Sequence, residues 1–171
     1  MTAPAPTPRP ATLPLRWGTA RTRTIQGAVL IVSGAMAVAG SDTYVLLLLL
    51  AGTLAHVAGW SIIPSDGWRR IVAILLSTPA ALLLLTGPRF IAVLVLPYIG
   101  WLLVRHRPLR SYPTVIFVLA GAVVVARLFP DYDGMLPALG IEFLVIVASA
   151  WVARAVAVPR PGAELPVGRL R

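Results

Sequence analysis

Six apolar segments with short polar connections fill most of this 171-residue chain. They cover residues 25–40, 43–63, 71–86, 90–104, 114–129 and 136–158. Apolar residues make up 58% of the sequence and charged residues 12%, and the mean hydropathy is +0.85. This composition is too apolar for a water-soluble domain of this length. The chain is therefore expected to lie in a lipid bilayer.

The unbroken apolar runs, such as VLLLLLA at 45–51, predict helices. In hydrocarbon every backbone polar group must pair internally, and the strands of a membrane barrel would show alternation over about 10 residues, which is absent here. A spanning helix needs roughly 20 residues, so four segments are short, but arginine and tryptophan side chains at their ends extend the reach. The predicted fold class is all-α: a polytopic integral membrane protein with six transmembrane helices and short loops.

The two ends of the chain are rich in proline and arginine and have no hydrophobic periodicity. Residues 1–24 and 159–171 are therefore expected to be disordered cytoplasmic tails flanking a transmembrane domain at 25–158. Two alternatives stay open. The stretch ending in AMAVAG resembles a cleavable signal peptide, and residues 71–104 could form a re-entrant hairpin. The turn Gly87-Pro88-Arg89 favours two full spans, because Arg89 at a re-entrant tip would cost about 2.5–3.5 kcal/mol.

The arginines give a predicted orientation. All fifteen basic residues are arginine, and six spans place thirteen of them on the side of both termini, leaving only Arg89 and Arg127 on the other. Positive charge favours the cytoplasmic side, so both termini are expected there, in the cytoplasmic membrane. The use of arginine as the basic residue without lysine fits a high-G+C bacterial genome, because lysine codons are A-rich. All five tryptophans fall near the same interface. The expected contacts with anionic lipid headgroups are Arg69, Arg70, Arg105, Arg107 and Arg110.

Three ionisable residues fall within the predicted spans, where such groups are costly and often functional. They are His56, Glu142 and Arg127, which form the candidate intramembrane polar site. The hairpin at 127–137 could bring Arg127 to Glu142 as a bidentate pair. Alternatively, Arg127 extends outward to the aspartates of that hairpin. His56 could bind a ligand, relay protons or donate a hydrogen bond to a neighbouring helix.

Pro79 and Pro97 fall near mid-depth in the third and fourth predicted helices. Each removes a backbone hydrogen bond and is a candidate kink. Interrupted helices often border substrate sites in transporters. However, transmembrane proline is common, and Ser77 or Thr78 could bond the carbonyl that Pro79 leaves free. Kinked packing is therefore preferred over a substrate path.

The residues present argue against several classes of chemistry. The chain has no cysteine, which excludes disulfides, iron–sulfur clusters and cysteine nucleophiles. It contains no nucleophile elbow, HExxH or Walker loop, so neither enzymatic activity nor a cofactor or metal is expected. The net charge of +9 is explained by orientation in the membrane, and nucleic acid is not an expected partner.

Two functions from different classes follow. The first is a non-enzymatic membrane subunit or accessory (scaffold) protein that packs against itself or against a larger membrane-protein partner. The alternative is a small transporter or a lipid- or solute-binding protein with a site near Glu142, Arg127 and His56. An unrecognised membrane enzyme comes third.

Overall fold

The computed structural model describes residues 18–41 and 44–157, and this part of the chain is helical without strands. The predicted all-α class is thus confirmed. Four short 3-10 helices precede or follow the α-helices: Leu84–Thr86, Pro88–Leu94, Leu109–Thr114 and Tyr132–Gly134. The α-helices are α1 (Ala20–Ala39), α2 (Leu46–Ile62), α3 (Gly67–Leu83), α4 (Val95–Val104), α5 (Val115–Leu128) and α6 (Met135–Ala157).

The first helix begins at Ala20, before the predicted start at residue 25. Thr19 explains this start, because its hydroxyl accepts a hydrogen bond from the Thr22 N–H at 3.2 Å and so caps the helix. The expected tails fall largely outside the described residues, at 1–17 and 158–171.

Four helical stretches in the described residues are long and apolar enough to cross a membrane. They are Ala20–Ala39, Gly67–Thr86, Leu109–Leu128 and Tyr132–Ala157. Two further apolar stretches are shorter, Leu46–Ile62 and Pro88–Val104. The helices thus indicate a membrane protein.

Consecutive helices run antiparallel, so their ends gather at the two ends of a bundle. We call one of them the arginine end: α1, α3 and α5 begin there, and α2, α4 and α6 end there. Eight of the ten arginines in the described residues lie at it. At the opposite end, the Tyr132 hydroxyl donates to the Ala39 carbonyl at 2.9 Å. Gly87, with φ +102°, makes the turn between the 3-10 helices there, a conformation that L side chains rarely adopt.

The closest helix contact is between α1 and α2, and glycine makes it possible. Gly27 and Gly34 on α1 meet Gly59 and Gly52 on α2, respectively. A Cβ at Gly34 would lie 2.5 Å from the Gly52 carbonyl oxygen, and one at Gly59 would lie 2.7 Å from the Gly27 carbonyl oxygen. On each helix the two glycines are seven residues apart, so both lie on one face. Close packing through small residues is typical of membrane helices.

Arginines at the arginine end bond to helix termini. A cation at a helix C-terminus offsets the partial negative charge of unpaired carbonyls. The helices that end at this face, α2, α4 and α6, all receive such a bond. The donors and acceptors are Arg23 Nε to Ile62 (3.1 Å), Arg70 Nη1 to Ser61 (2.9 Å), Arg69 Nη1 to Leu103 (2.9 Å) and Arg110 Nη2 to Ala157.

Replacing Gly34 with alanine tests the α1–α2 contact. The added methyl would meet the α2 backbone, which cannot move aside as a flexible side chain can. We expect the free energy of unfolding in detergent to fall by about 2 kcal/mol or more. The matched control is Gly140→Ala on α6, where an added Cβ meets nothing within 4 Å. Equal stability of the two variants would contradict the contact.

Candidate functional site

A cavity with a volume of about 660 Å³ lies between α1, α2, α3, α4 and α6. Its walls are almost wholly apolar. The cavity is partly open between α1 and α6, where Val29, Met36, Phe143 and Val147 on its rim are exposed. These exposed rim residues belong to α1 and α6, so the apolar chamber opens sideways between the two helices.

One polar cluster lies on the buried wall of this cavity, around His56, which is 1% exposed. The Trp60 indole N–H donates to His56 Nε2 at 3.2 Å, and the Ser77 hydroxyl lies 3.0 Å from the same atom. Because an indole only donates, Nε2 is an acceptor and the ring proton lies on Nδ1. Nδ1 then donates to the Ile31 carbonyl at 3.0 Å. His56 therefore ties α1, α2 and α3 together, and its polar atoms are already paired.

Two tryptophans line the cavity on the side of the arginine end. Trp101 on α4 and Trp151 on α6 each carry a guanidinium near the ring, with Arg105 Cζ 6.0 Å and Arg154 Cζ 5.7 Å from the respective ring centroids. Such cation–π contacts are favourable and orient the arginine. The apolar chamber thus has positive charge beside it.

Arg107 belongs to the same group of charges, in the connection between α4 and α5. Burial, together with the positive charges of Arg105 and Arg154, lowers the pKa of Arg107 below its ordinary value. Among the described residues, no carboxylate forms an ion pair with these three arginines. The charges are therefore not compensated within that part of the chain.

Glu142, a candidate site residue, lies on a different face of α6 from the cavity. It is 0% exposed, and neither carboxyl oxygen has a hydrogen-bond partner. Gly121 on α5 leaves room for it, since a Cβ at that position would lie 3.1 Å from Oε2. Glu142 is thus enclosed between α5 and α6.

The proposed Arg127–Glu142 pair does not form. Arg127 is exposed in the last turn of α5 and makes no ion pair with a carboxylate of the described residues, including those of Asp131 and Asp133. Gly121 is the α5 residue beside Glu142, and Arg127 lies six residues further, about 9 Å along the helix. The structure therefore does not bring Arg127 to Glu142, and neither residue lines the cavity on whose wall His56 lies.

Pro79 lies inside α3, as the sequence indicates. The hydroxyls of Ser77 and Thr78 could have bonded the Leu75 carbonyl that Pro79 leaves free, but they do not. Ser77 bonds to His56, and the buried Thr78 Oγ1 has no hydrogen-bond partner. Neither hydroxyl therefore makes the local bond to the Leu75 carbonyl that the sequence allowed.

Pro97 lies in the first turn of α4, directly after the 3-10 helix Pro88–Leu94. The residue four earlier, Val93, belongs to that 3-10 helix, so Pro97 does not interrupt an established α-helix. Pro97 lines the cavity.

The arginines expected to contact lipid divide into two groups. Arg69, Arg70 and Arg110 bond to helix carbonyls, and Arg69 Nε also lies 3.2 Å from Asp66 Oδ2. Arg105 and Arg107 make no such bond within the described residues, and Arg105 lies over the ring of Trp101, which lines the cavity. Arg154, which the sequence-based prediction did not include, lies over the ring of Trp151 in the same way. The spacing of Trp101 from Arg105 and of Trp151 from Arg154, one helical turn each, is the signal that could have identified them.

Comparison with protein-family models, with curated proteins and with solved structures finds no match to this chain.

Replacing His56 with leucine tests the cluster on the cavity wall. The Ile31 carbonyl, the Ser77 hydroxyl and the Trp60 N–H would lose their shared partner. Leaving buried polar groups unpaired should lower the free energy of unfolding by about 2 kcal/mol or more. The control is Ser77→Ala, which leaves Trp60 on Nε2 and should cost less than about 1 kcal/mol. If thermal melts in detergent ranked the variants the other way, the described hydrogen bonds would not hold the helices.

Proposed function

We propose that this chain is a six-span protein of the cytoplasmic membrane that binds a lipid-like molecule in the lateral cavity. The supporting observation is the chamber of about 660 Å³, open between α1 and α6. Water finds few hydrogen-bond partners on such walls. An empty chamber would leave the lining side chains without van der Waals partners. A hydrocarbon chain needs no hydrogen-bond partners and gives the lining side chains van der Waals contacts. It can also enter sideways from the bilayer.

The lengths of the two shorter stretches are compatible with six spans. Pro88–Val104 combines 7 residues of 3-10 helix with 10 of α-helix. Since a 3-10 helix rises about 2.0 Å per residue against 1.5 Å for an α-helix, this stretch is about 29 Å long. Leu46–Ile62 is about 26 Å long by the same measure. Both values approach the hydrocarbon thickness of about 30 Å, and modest local thinning covers the difference.

The proposed orientation places the arginine end in the cytoplasm, because positively charged connections are retained there. Trp68, Trp101 and Trp151 lie at the same end, where amphipathic rings settle at a membrane interface. The cavity would then lie near mid-depth in the bilayer, with Trp101 and Trp151 on its cytoplasmic side.

The accessory-subunit function is the second candidate, and the same lateral opening favours it. A transmembrane helix of a partner, or of a second copy of this chain, could occupy the gap between α1 and α6 in place of a lipid. The two candidates differ in what remains bound after extraction in mild detergent, a lipid or a protein.

Filling the cavity tests lipid binding. Ala150 on α6 lines the chamber, so Ala150→Phe would occupy part of its volume. We expect the fraction of protein that retains lipid, measured by native mass spectrometry, to fall about tenfold, which corresponds to about 1.4 kcal/mol. Ala35→Phe fills the chamber from the α1 wall and should have the same effect.

The matched control is Ala148→Phe, two residues away on an exposed face of α6. It adds the same side chain outside the cavity and should retain lipid like the original protein. Lipid bound equally by all variants would contradict the cavity as the site. A copurifying protein lost from the cavity variants alone would favour the accessory-subunit function.

A further inference from the structure

We propose that the occupant is one anionic glycerophospholipid from the surrounding bilayer, with an acyl chain in the cavity and its phosphate held by Arg105 and Arg154. This inference rests on the proposed function and names the ligand class. Three observations support this ligand. Both guanidinium groups lie beside the chamber, neither forms an ion pair with a carboxylate of the described residues, and the chamber opens between α1 and α6.

Arg105 and Arg154 lie next to the two tryptophans at one end of the cavity. Trp101 and Trp151 line the cavity, and the arginines that they orient follow them in the chain. Because α4 and α6 both end at the arginine end, Arg105 and Arg154 lie about one helical turn beyond the tryptophans in the same direction. A molecule with its chain between the rings would place its headgroup beside these two arginines.

The charges of Arg105 and Arg154 are not balanced by a carboxylate of the described residues. Other arginines at this end are already bonded to helix carbonyls, as Arg69, Arg70 and Arg110 are. Asp66, the described carboxylate at this end, lies 3.2 Å from Arg69 Nε and 3.6 Å from His106 Nε2. Arg105 and Arg154 make no ion pair within the described residues.

Arg107, in the connection between α4 and α5, adds a third positive charge near Arg105 and Arg154. Its guanidinium is partly desolvated and lies within the field of Arg105 and Arg154. Three like charges gathered without a carboxylate repel one another, and an anion placed among them relieves the repulsion. A phosphodiester supplies one negative charge and oxygens that accept bidentate hydrogen bonds from arginine.

The apolar chamber beside the arginines distinguishes a phospholipid of the bilayer from a soluble phosphate as the source of the anion. A free phosphate would bind to the arginines alone and would make no use of the apolar chamber. The opening between α1 and α6 instead faces the bilayer, where phospholipids supply both a chain and a phosphate at headgroup depth. The combination therefore selects a phospholipid over a soluble anion.

The test is a lipid titration followed by native mass spectrometry. Delipidated full-length protein in detergent receives phosphatidylglycerol or phosphatidylcholine with identical acyl chains. The original protein should prefer phosphatidylglycerol. Each arginine near a headgroup contributes roughly fivefold in affinity, so Arg105→Gln with Arg154→Gln should reduce the preference by about 25-fold. Added inorganic phosphate at equal concentration should displace little lipid.

The matched control is Arg89→Gln with Arg127→Gln, which removes two exposed arginines from the opposite end. This double variant should keep the preference, and thermal melts of both double variants should establish that they fold.

Equal binding of both lipids by the original protein would overturn the anionic ligand while leaving the cavity proposal intact. The same holds if the preference survives in the Arg105/Arg154 variant, or if inorganic phosphate displaces the lipid. If neither phosphatidylglycerol nor phosphatidylcholine bound, and the Ala150→Phe variant behaved identically, the proposed function itself would be overturned.

Discussion

The backbone contact between α1 and α2 determines where the rest of this structure can open. Gly27 and Gly34 let α1 approach the α2 main chain at two points, and His56 adds a hydrogen bond from α2 to the Ile31 carbonyl of α1. These interactions commit one face of α1 to α2. The neighbouring face meets α6 at few points, and the cavity lies along that seam. The chamber is therefore a consequence of how tightly α1 is held on its other side.

The arginine end combines two physical roles that a simple count of charges does not separate. One set of guanidinium groups bonds to the last carbonyls of α2, α4 and α6, where the partial negative charge of each helix end is concentrated. A second set, beside Trp101 and Trp151, has no such partner in the described residues. An arginine-rich helix boundary can therefore stabilise the bundle and still leave positive charge free for a ligand.

The sequence predicts the helices well because apolar runs and their polar boundaries are local properties. The Gly87 turn and the gathering of arginines at one end follow from the same local signals. It does not predict which faces meet. Arg127 and Glu142 lie on consecutive helices joined by one short hairpin, yet the structure places Gly121 beside Glu142 and leaves Arg127 exposed. Glycine at seven-residue spacing in two consecutive segments is the sequence signal for the α1–α2 contact.

The most direct test of the account is quenching of Trp60 by brominated lipid. Trp60 is 1% exposed but lines the cavity, so an acyl chain can reach its ring only by entering the chamber. A variant that keeps Trp60 and replaces the other four tryptophans with phenylalanine would be reconstituted with lipid brominated on its acyl chains. The account predicts strong quenching of Trp60 fluorescence, relieved when the cavity is filled by Ala150→Phe. Fluorescence equal to that in unbrominated lipid would contradict the claim that the seam between α1 and α6 admits a lipid chain.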